Sequence, residues 1–326
     1  MNRRETLSTL LAAAVATTSL AARAQPAAKP PRIGYLSLRS RGHALEAAFV
    51  AEMSKLGYVD GKTVTIEWRF ADTKVERLPA LAAELVALRV DLLVATGTQA
   101  ITAAAAATKT IPIVFPGAAD PVGSGFVKSL RRPGGNVTGF STMAADLGGK
   151  QIELLRSVLP RMTRLALLVN PSNTGVTSVM KNFDAGAKQT GVTLQQFGAA
   201  SPEAIDQAFA AMAKARIEAV AVVVDAFLLE ETKRIAALAL RYKLPLISTQ
   251  PIDVEAGALT SYGGVLADNY RRAAGAVIKI LKGTNPADLP VEQPTLVELV
   301  INLKTANALG IKFPQTIAVR ADRVIE

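Results

Sequence analysis

Polar residues follow two short β-rich segments of this sequence, at points where a small charged molecule could bind. The tripeptide Thr96-Gly97-Thr98 follows segment 92–95, and Asp225 follows the valine-rich segment 220–224. In open parallel sheets, ligands bind beyond the carboxyl ends of the strands. Hydroxyls and free amides at a helix start suit a carboxylate, whereas a buried aspartate suits an ammonium. The pattern predicts a site for a zwitterion, although capping of the following helices explains the same residues.

Four further residues occupy similar positions. Ser37 follows the first predicted strand, and Asp120 and Asn170 begin turns after later strands. Tyr262 is an aromatic residue in a segment that is predicted to connect the two halves of the fold. Each also has a structural interpretation as a helix cap, a turn residue or a core aromatic. These additional candidates for ligand binding are Ser37, Asp120, Asn170 and Tyr262.

The residues that enzymes commonly use are sparse. His43 is the single histidine, and its place at a predicted helix start suits a capping role. The chain contains no cysteine, which excludes disulfides, thiolate metal ligands and a cysteine nucleophile. No glycine-rich phosphate loop joins a strand to a helix. We therefore predict no catalytic residues, no metal and no cofactor.

The charge of the chain does not indicate a nucleic-acid partner. The net charge is +10, but the basic residues are scattered singly along amphipathic segments. No basic run is interleaved with aromatic residues, as single-strand binding would need. We predict no nucleic-acid binding.

The first 24 residues have the order of a secretory signal peptide. Arg3 and Arg4 precede an uncharged segment, and Ala22-Arg23-Ala24 provides small residues around a cleavage position. The apolar segment is too short to serve as a permanent anchor. We predict cleavage after Ala24 and a periplasmic protein; both the general secretory and the twin-arginine routes stay open.

From residue 32 onward, short β-rich segments alternate with helical ones, which indicates βαβ units. The predicted strands of a first series are 32–36, 64–68, 92–95, 113–115 and 137–140, with helices at 44–56, 75–88, 99–107 and 121–130. A second series has strands at 165–169, 192–197, 220–224 and 246–247, with helices at 147–158, 176–189, 202–214 and 230–241. The expected fold class is α/β, with two doubly wound parallel-sheet lobes.

The chain is expected to cross between the lobes three times. The crossings are predicted at 135–141, 258–262 and 291–295, because a helix at 268–281 and a proline-rich extended segment follow the second series. This gives an N-terminal lobe of 32–140 plus 263–290 and a C-terminal lobe of 141–260 plus 295–326. Three strands between two lobes predict a hinge.

Several motifs together resemble a known family. They are Arg32-Ile33-Gly34-Tyr35-Leu36-Ser37, Leu56-Gly57-Tyr58-Val59-Asp60-Gly61-Lys62, Thr96-Gly97-Thr98, Pro112-Ile113-Val114-Phe115 with Asp120-Pro121, Gly134-Gly135-Asn136-Val137-Thr138-Gly139, and Asn302-Leu303-Lys304-Thr305-Ala306 with Leu309-Gly310. The sequence resembles ABC-transporter substrate-binding proteins of the tryptophan/tyrosine-type subfamily, over almost the whole chain after the signal peptide.

The resemblance implies a type I periplasmic-binding fold that closes on a small ligand, without catalysis. It also implies that the ligand is delivered to an ABC permease in the inner membrane. From the predicted zwitterion site we expect the ligand to be an aromatic or branched amino acid or a related carboxylate, and we expect the protein to be a monomer. Two alternatives stay open at this point: an exported α/β enzyme acting on a small carboxylate, and a ligand sensor for a chemoreceptor.

Overall fold

The computed structural model describes residues 29–326, so the predicted signal peptide and its cleavage site lie outside the described residues. Five parallel strands form a first sheet in the order β2-β1-β3-β4-β5. Their bounds are Arg32–Ser37 (β1), Thr65–Phe70 (β2), Leu92–Thr96 (β3), Ile113–Ala118 (β4) and Val137–Ser141 (β5). Three helices connect them, namely Ala44–Lys55 (α1), Leu78–Ala87 (α2) and Thr98–Ala107 (α3).

A second sheet has seven strands in the order β12-β11-β10-β9-β8-β6-β7. Their bounds are Arg164–Val169 (β6), Thr193–Gly198 (β7), Ala219–Val222 (β8), Leu246–Ser248 (β9), Thr260–Gly264 (β10), Val297–Asn302 (β11) and Arg323–Ile325 (β12). All neighbours are parallel except β10 and β11, which are antiparallel.

The helices that accompany the second sheet are Ala144–Val158 (α4), Val176–Thr190 (α5), Pro202–Lys214 (α6), Ala226–Glu230 (α7), Thr232–Arg241 (α8) and Pro251–Glu255 (α9). Helix α10, Leu266–Leu281, returns to the first sheet and packs against α1 and β4. Helices Leu303–Leu309 (α11) and Gln315–Ala318 (α12) complete the chain. We call the first sheet with its helices the first lobe, and the second sheet with its helices the second lobe.

Alternating strand residues bury both faces of each sheet. In β3, Leu92 and Val94 pack on the side of α1 and α10, whereas Leu93 and Ala95 pack on the side of α2 and α3. Neighbouring side chains of a strand point to opposite faces, so an apolar run of this kind requires helices on both sides. This layering gives two doubly wound lobes, which confirms the predicted fold class.

Three crossing segments join the lobes, after β5, after β10 and before β11. The segment before β11 lies beside β5, where the Ser141 amide donates to the carbonyl of Glu292 at 2.8 Å. Arg272 of α10 forms an ion pair with Glu292, and its guanidinium carbon lies 5.1 Å from the centre of the Phe140 ring. Arg272 therefore attaches two of the three crossing segments to the first lobe.

Most predicted elements agree with the structure within a few residues, but the helix predicted at 121–130 is wrong. Those residues form a series of turns. Gly125 has a positive φ of 73°, which an α-helix does not allow, and the Asp120 carboxylate accepts the Gly123 amide at 2.7 Å. Strands β11 and β12 were not predicted. No helix in residues 29–326 is long and apolar enough to cross a membrane.

Candidate functional site

The carboxyl ends of the strands in the two lobes border one cleft, which encloses a cavity of about 60 Å³ for the centres of water-sized atoms. A single water needs roughly 10 to 15 Å³ on this measure, so the cavity accommodates several non-hydrogen atoms. Loops after β3, β4 and β5 contribute from the first lobe, and loops after β8 and β9 from the second. The cavity has the position of a ligand site, between the lobes and beyond the carboxyl ends of the strands.

Asp225 is the acidic residue of the cavity wall. It is 6 % exposed and precedes α7, where its Oδ1 accepts the Leu228 amide at 2.9 Å. Its Oδ2 accepts the side-chain amides of Asn170 at 2.8 Å and Gln99 at 3.4 Å. Burial raises the pKa of the Asp225 carboxyl, and the hydrogen bonds from Leu228 and Asn170 oppose that effect.

The partners of Asp225 are all uncharged. Within residues 29–326 no lysine, arginine or histidine forms a salt bridge with this carboxylate. A buried carboxylate without a cation is costly unless hydrogen bonds or a ligand compensate its charge. The carboxylate is therefore prepared to receive a positively charged group from the cavity.

Asn170 lies behind Asp225. Its side-chain amide donates to Asp225, and its Oδ1 accepts the amide of Ser172 at 3.1 Å and the hydroxyl of Ser172 at 2.6 Å. The neighbouring Asn173 lines the cavity instead. Asn170 thus orients the carboxylate, while Asn173 is a cavity residue that the predicted site did not include, although it belongs to the same turn.

The first lobe contributes the start of α3. Gly97 and Thr98 line the cavity, whereas Thr96 is fully buried at the end of β3. Gly97 has a φ of 93° and no side chain that could cap α3, so the amides of the first helical turn stay available. The positive end of the helix dipole at this position favours an anion.

Three other predicted site residues lie elsewhere. The Ser37 hydroxyl is buried and accepts the Arg39 amide at 3.1 Å. Asp120 stabilises the turn at Gly123 and is absent from the cavity wall among the residues described. Tyr262 lines a separate cavity beside Lys150. The structure brings Gly97, Thr98 and Asp225 together around one cavity; the ligand-binding roles of all eight residues stay predictions.

Arg39 is a cavity residue that was not among the predicted site residues. It is only 2 % exposed, pairs with Glu46 at 2.6 Å and donates to the Tyr270 hydroxyl at 2.7 Å. Its place two residues after β1 was a signal that could have included it.

Nearby, His43 caps α1 by accepting the Leu45 amide at 3.2 Å, and burial together with Arg39 lowers the pKa of its imidazole to about 4.

The two lobes touch at the cavity. The Gln99 side chain of the first lobe donates to Asp225 of the second lobe. A Cβ atom added to Gly97 would lie 3.0 Å from the Cβ of Ala226 in the second lobe.

No group of three or more metal-ligating side chains occurs in residues 29–326. The site is a cleft between lobes, without a described metal-binding cluster.

Comparison with known proteins places these features in a family. Residues 44–325 match the family model described as ABC transporter substrate binding protein. A tyrosine-binding protein of Clostridioides difficile strain R20291 is 28% identical over 265 residues, which cover 81% of this chain and 76% of that protein. The family is one of solute-binding proteins and not of enzymes.

Two solved structures differ in how well they superpose on this chain. The ABC domain of Streptococcus pneumonia in complex with L-Trp is 28% identical, covers 90% of this chain and 99% of its own, and has a TM-score of 0.84. The ligand-free, open structure of a substrate-binding protein with adhesive properties from Clostridium difficile is 25% identical with the same coverages, but its TM-score is 0.62. At similar identity, the present chain is closer in shape to the ligand complex than to the open form.

Proposed function

We propose that this chain, which belongs to the family of ABC transporter substrate-binding proteins, binds an aromatic or branched amino acid between its lobes and delivers it to a membrane permease. One observation supports the class of ligand above all others. Asp225 lines the cavity, is buried, and has only uncharged partners among the described residues. An α-ammonium group would supply the missing positive charge through an ionic hydrogen bond.

The first lobe offers groups for the α-carboxylate. Gly97 and Thr98 present the start of α3 to the cavity, and Thr96 ends the strand before it. Backbone amides at a helix start, with the Thr98 hydroxyl, stabilise an anion there. We assign the carboxylate to the Thr96–Thr98 turn and the ammonium to Asp225.

Apolar residues complete the wall around the polar groups. Val224, Leu229 and Leu266 line the cavity, and all three are aliphatic. Such a surface favours an apolar side chain on the ligand. The relatives named for tyrosine and solved with L-Trp agree with an amino acid of this kind.

The mechanism follows from a ligand that contacts both lobes. Asp225 belongs to the second lobe and Thr98 to the first, so both ionic contacts form only when the cleft is closed. Binding then shifts the population toward the closed form, which a permease can distinguish from the open one. We place the protein in the periplasm as a monomer, with an ABC permease of the inner membrane as its partner.

The test is a direct binding measurement. The protein is unfolded, dialysed to remove any co-purified ligand, refolded, and titrated by calorimetry with L-tryptophan, L-tyrosine, L-phenylalanine, L-leucine, L-isoleucine and L-valine. We expect at least one to bind with a micromolar or lower dissociation constant and to be recovered unchanged by mass spectrometry. Failure of all six to bind, or chemical conversion of a bound one, would refute the proposal.

A further inference from the structure

Arg39 is the one cation on the cavity wall among residues 29–326, and Asp225 is the one acid. Arg39 follows β1 in the first lobe, whereas Asp225 follows β8 in the second. The two side chains do not form a salt bridge with each other. The cavity is therefore bordered by opposite charges on opposite lobes.

The hydrogen bonds of the Arg39 guanidinium leave donor capacity unused. Its Nη2 donates to Glu46 at 2.6 Å and to the Tyr270 hydroxyl at 2.7 Å. Its Nε is buried and has no hydrogen-bond partner among the described residues. A guanidinium carries five N–H donors, and a buried unused donor costs free energy.

Two acids interact with the charge of Arg39. Glu46 pairs with it inside the first lobe, and Glu230 of the second lobe lies close enough to interact with its charge. Neither acid belongs to the cavity wall. They compensate the buried positive charge, and Arg39 stays the one basic residue of the cavity wall among residues 29–326.

We propose that Arg39 binds the α-carboxylate of the ligand, together with the start of α3, and so selects for zwitterions. This inference rests on the proposed function, because it assumes that an amino acid occupies the cavity. The carboxylate faces the first lobe and the ammonium faces Asp225 of the second lobe. A molecule without an ammonium leaves Asp225 without a cation, and a molecule without a carboxylate gives up the ionic hydrogen bonds from Arg39 and the start of α3. Either one should therefore bind more weakly than a zwitterion.

A cycle of ligands and variants tests the role. Each amino acid is compared with the amine that lacks only its carboxylate: L-tryptophan with tryptamine, L-tyrosine with tyramine, and L-leucine with isopentylamine. In the wild-type protein, we expect the amine to bind about ten- to a hundredfold more weakly.

The variant that removes both charges, Arg39→Gln with Glu46→Gln, avoids leaving a buried carboxylate without its partner. In this variant we expect the preference for the amino acid over the amine to be at least about threefold smaller than in the wild-type protein, because only the start of α3 still faces the carboxylate. The control is Glu46→Gln alone, which keeps Arg39 at the cavity and should keep the full preference for the amino acid. Circular dichroism and thermal unfolding establish that each variant folds.

Arg39→Lys provides a second test that keeps the buried charge but loses the planar donor arrangement. We expect its preference for the amino acid to fall between those of the wild-type protein and the double variant. An undiminished preference in the folded Arg39 variants would overturn the inference, and so would equal binding of amine and amino acid by the wild-type protein. Failure of the wild-type protein to bind any of the six amino acids of the calorimetric panel would instead count against the proposed function.

Discussion

The two sides of the cleft are built from different kinds of residue. The side from the first lobe consists mainly of small residues, such as Gly97, Thr98 and Gly117, with Arg39 as its charged group. The side from the second lobe has larger polar groups, including Asp225, Asn173 and Gln250. The first side thus offers backbone amides and close approach, whereas the second offers side-chain acceptors. On the proposed function, two lobes of the same fold class would divide the recognition of one ligand by chemical type.

A second comparison concerns two buried acids that differ in their position relative to the cleft. Asp225 and Asp253 are both buried acids of the second lobe, and burial raises the pKa of each carboxyl. Asp253 accepts the Thr232 hydroxyl at 2.6 Å and does not belong to the cavity wall. The comparison distinguishes an acid that connects two helices from one that lines the cavity.

The largest effect is expected at Asp225. Asp225→Asn removes the negative charge opposite the ligand ammonium, so we expect about a hundredfold weaker binding of the amino acid that the calorimetric panel identifies. The matched control is Asp253→Asn, which should lower the melting temperature and leave the dissociation constant within about twofold of wild type. Equal losses of affinity in both variants would mean that the acid side of the cleft has no special role.

Gly97 tests the close approach on the first side. Gly97→Ala places a Cβ atom 3.0 Å from that of Ala226 in the other lobe, at a φ of 93°, so we expect about tenfold weaker binding because closure is obstructed. Gly125→Ala is the control, since Gly125 also has a positive φ, of 73°, but has no atom near the added carbon within 4 Å. If both variants lose the same amount of affinity relative to the wild-type protein, backbone strain explains the loss and contact between the lobes does not.

The pH dependence of binding distinguishes the contribution of Asp225 from that of Arg39. Burial raises the pKa of Asp225 above the ordinary value of 3.8, and a protonated Asp225 cannot pair with an ammonium. Affinity should therefore fall as the pH decreases from neutrality toward the raised pKa of Asp225, a range in which arginine keeps its charge.

The same shift predicts the opposite sign for stability without ligand. When folding raises the pKa of a carboxyl, the folded protein becomes less stable as the pH rises through that pKa. The melting temperature of Asp225→Asn should therefore increase relative to that of the wild-type protein as the pH rises. Calorimetric titrations and melting curves across the pH range provide both readouts. A pH profile of affinity that is identical in Asp225→Asn would assign the titration to another group.

The smallest effect is expected at Tyr262, which lies against a separate cavity on the second lobe. Tyr262→Phe should leave the dissociation constant within about twofold of wild type, because no group that faces the ligand changes. Competition with a fluorescent or radiolabelled amino acid measures a difference of this size. A tenfold loss would extend the binding surface beyond the two sides described.

The sequence was sufficient for the fold because both lobes repeat apolar strands and amphipathic helices. It failed at 121–130, where Gly125 requires a conformation outside the helical region, and at β11, whose antiparallel pairing with β10 depends on contacts distant along the chain. The places of Asp225 and Gly97 on the cavity wall could be predicted, since both lie within three residues of the end of a strand in these repeats. The environment of Arg39 could not, because Tyr270 lies 231 residues away in the sequence.

Arg272 has a consequence for the mechanics of the molecule. Its contacts with Phe140 and Glu292 attach two crossing segments to the first lobe, so we expect bending at the short stretches beyond them, 142–143 and 294–296, and at residue 265 of the third crossing. We expect the lobes to rotate as rigid bodies about a short hinge. Each closure would then present the same outer surfaces in the same relative orientation, as a partner that recognises shape requires.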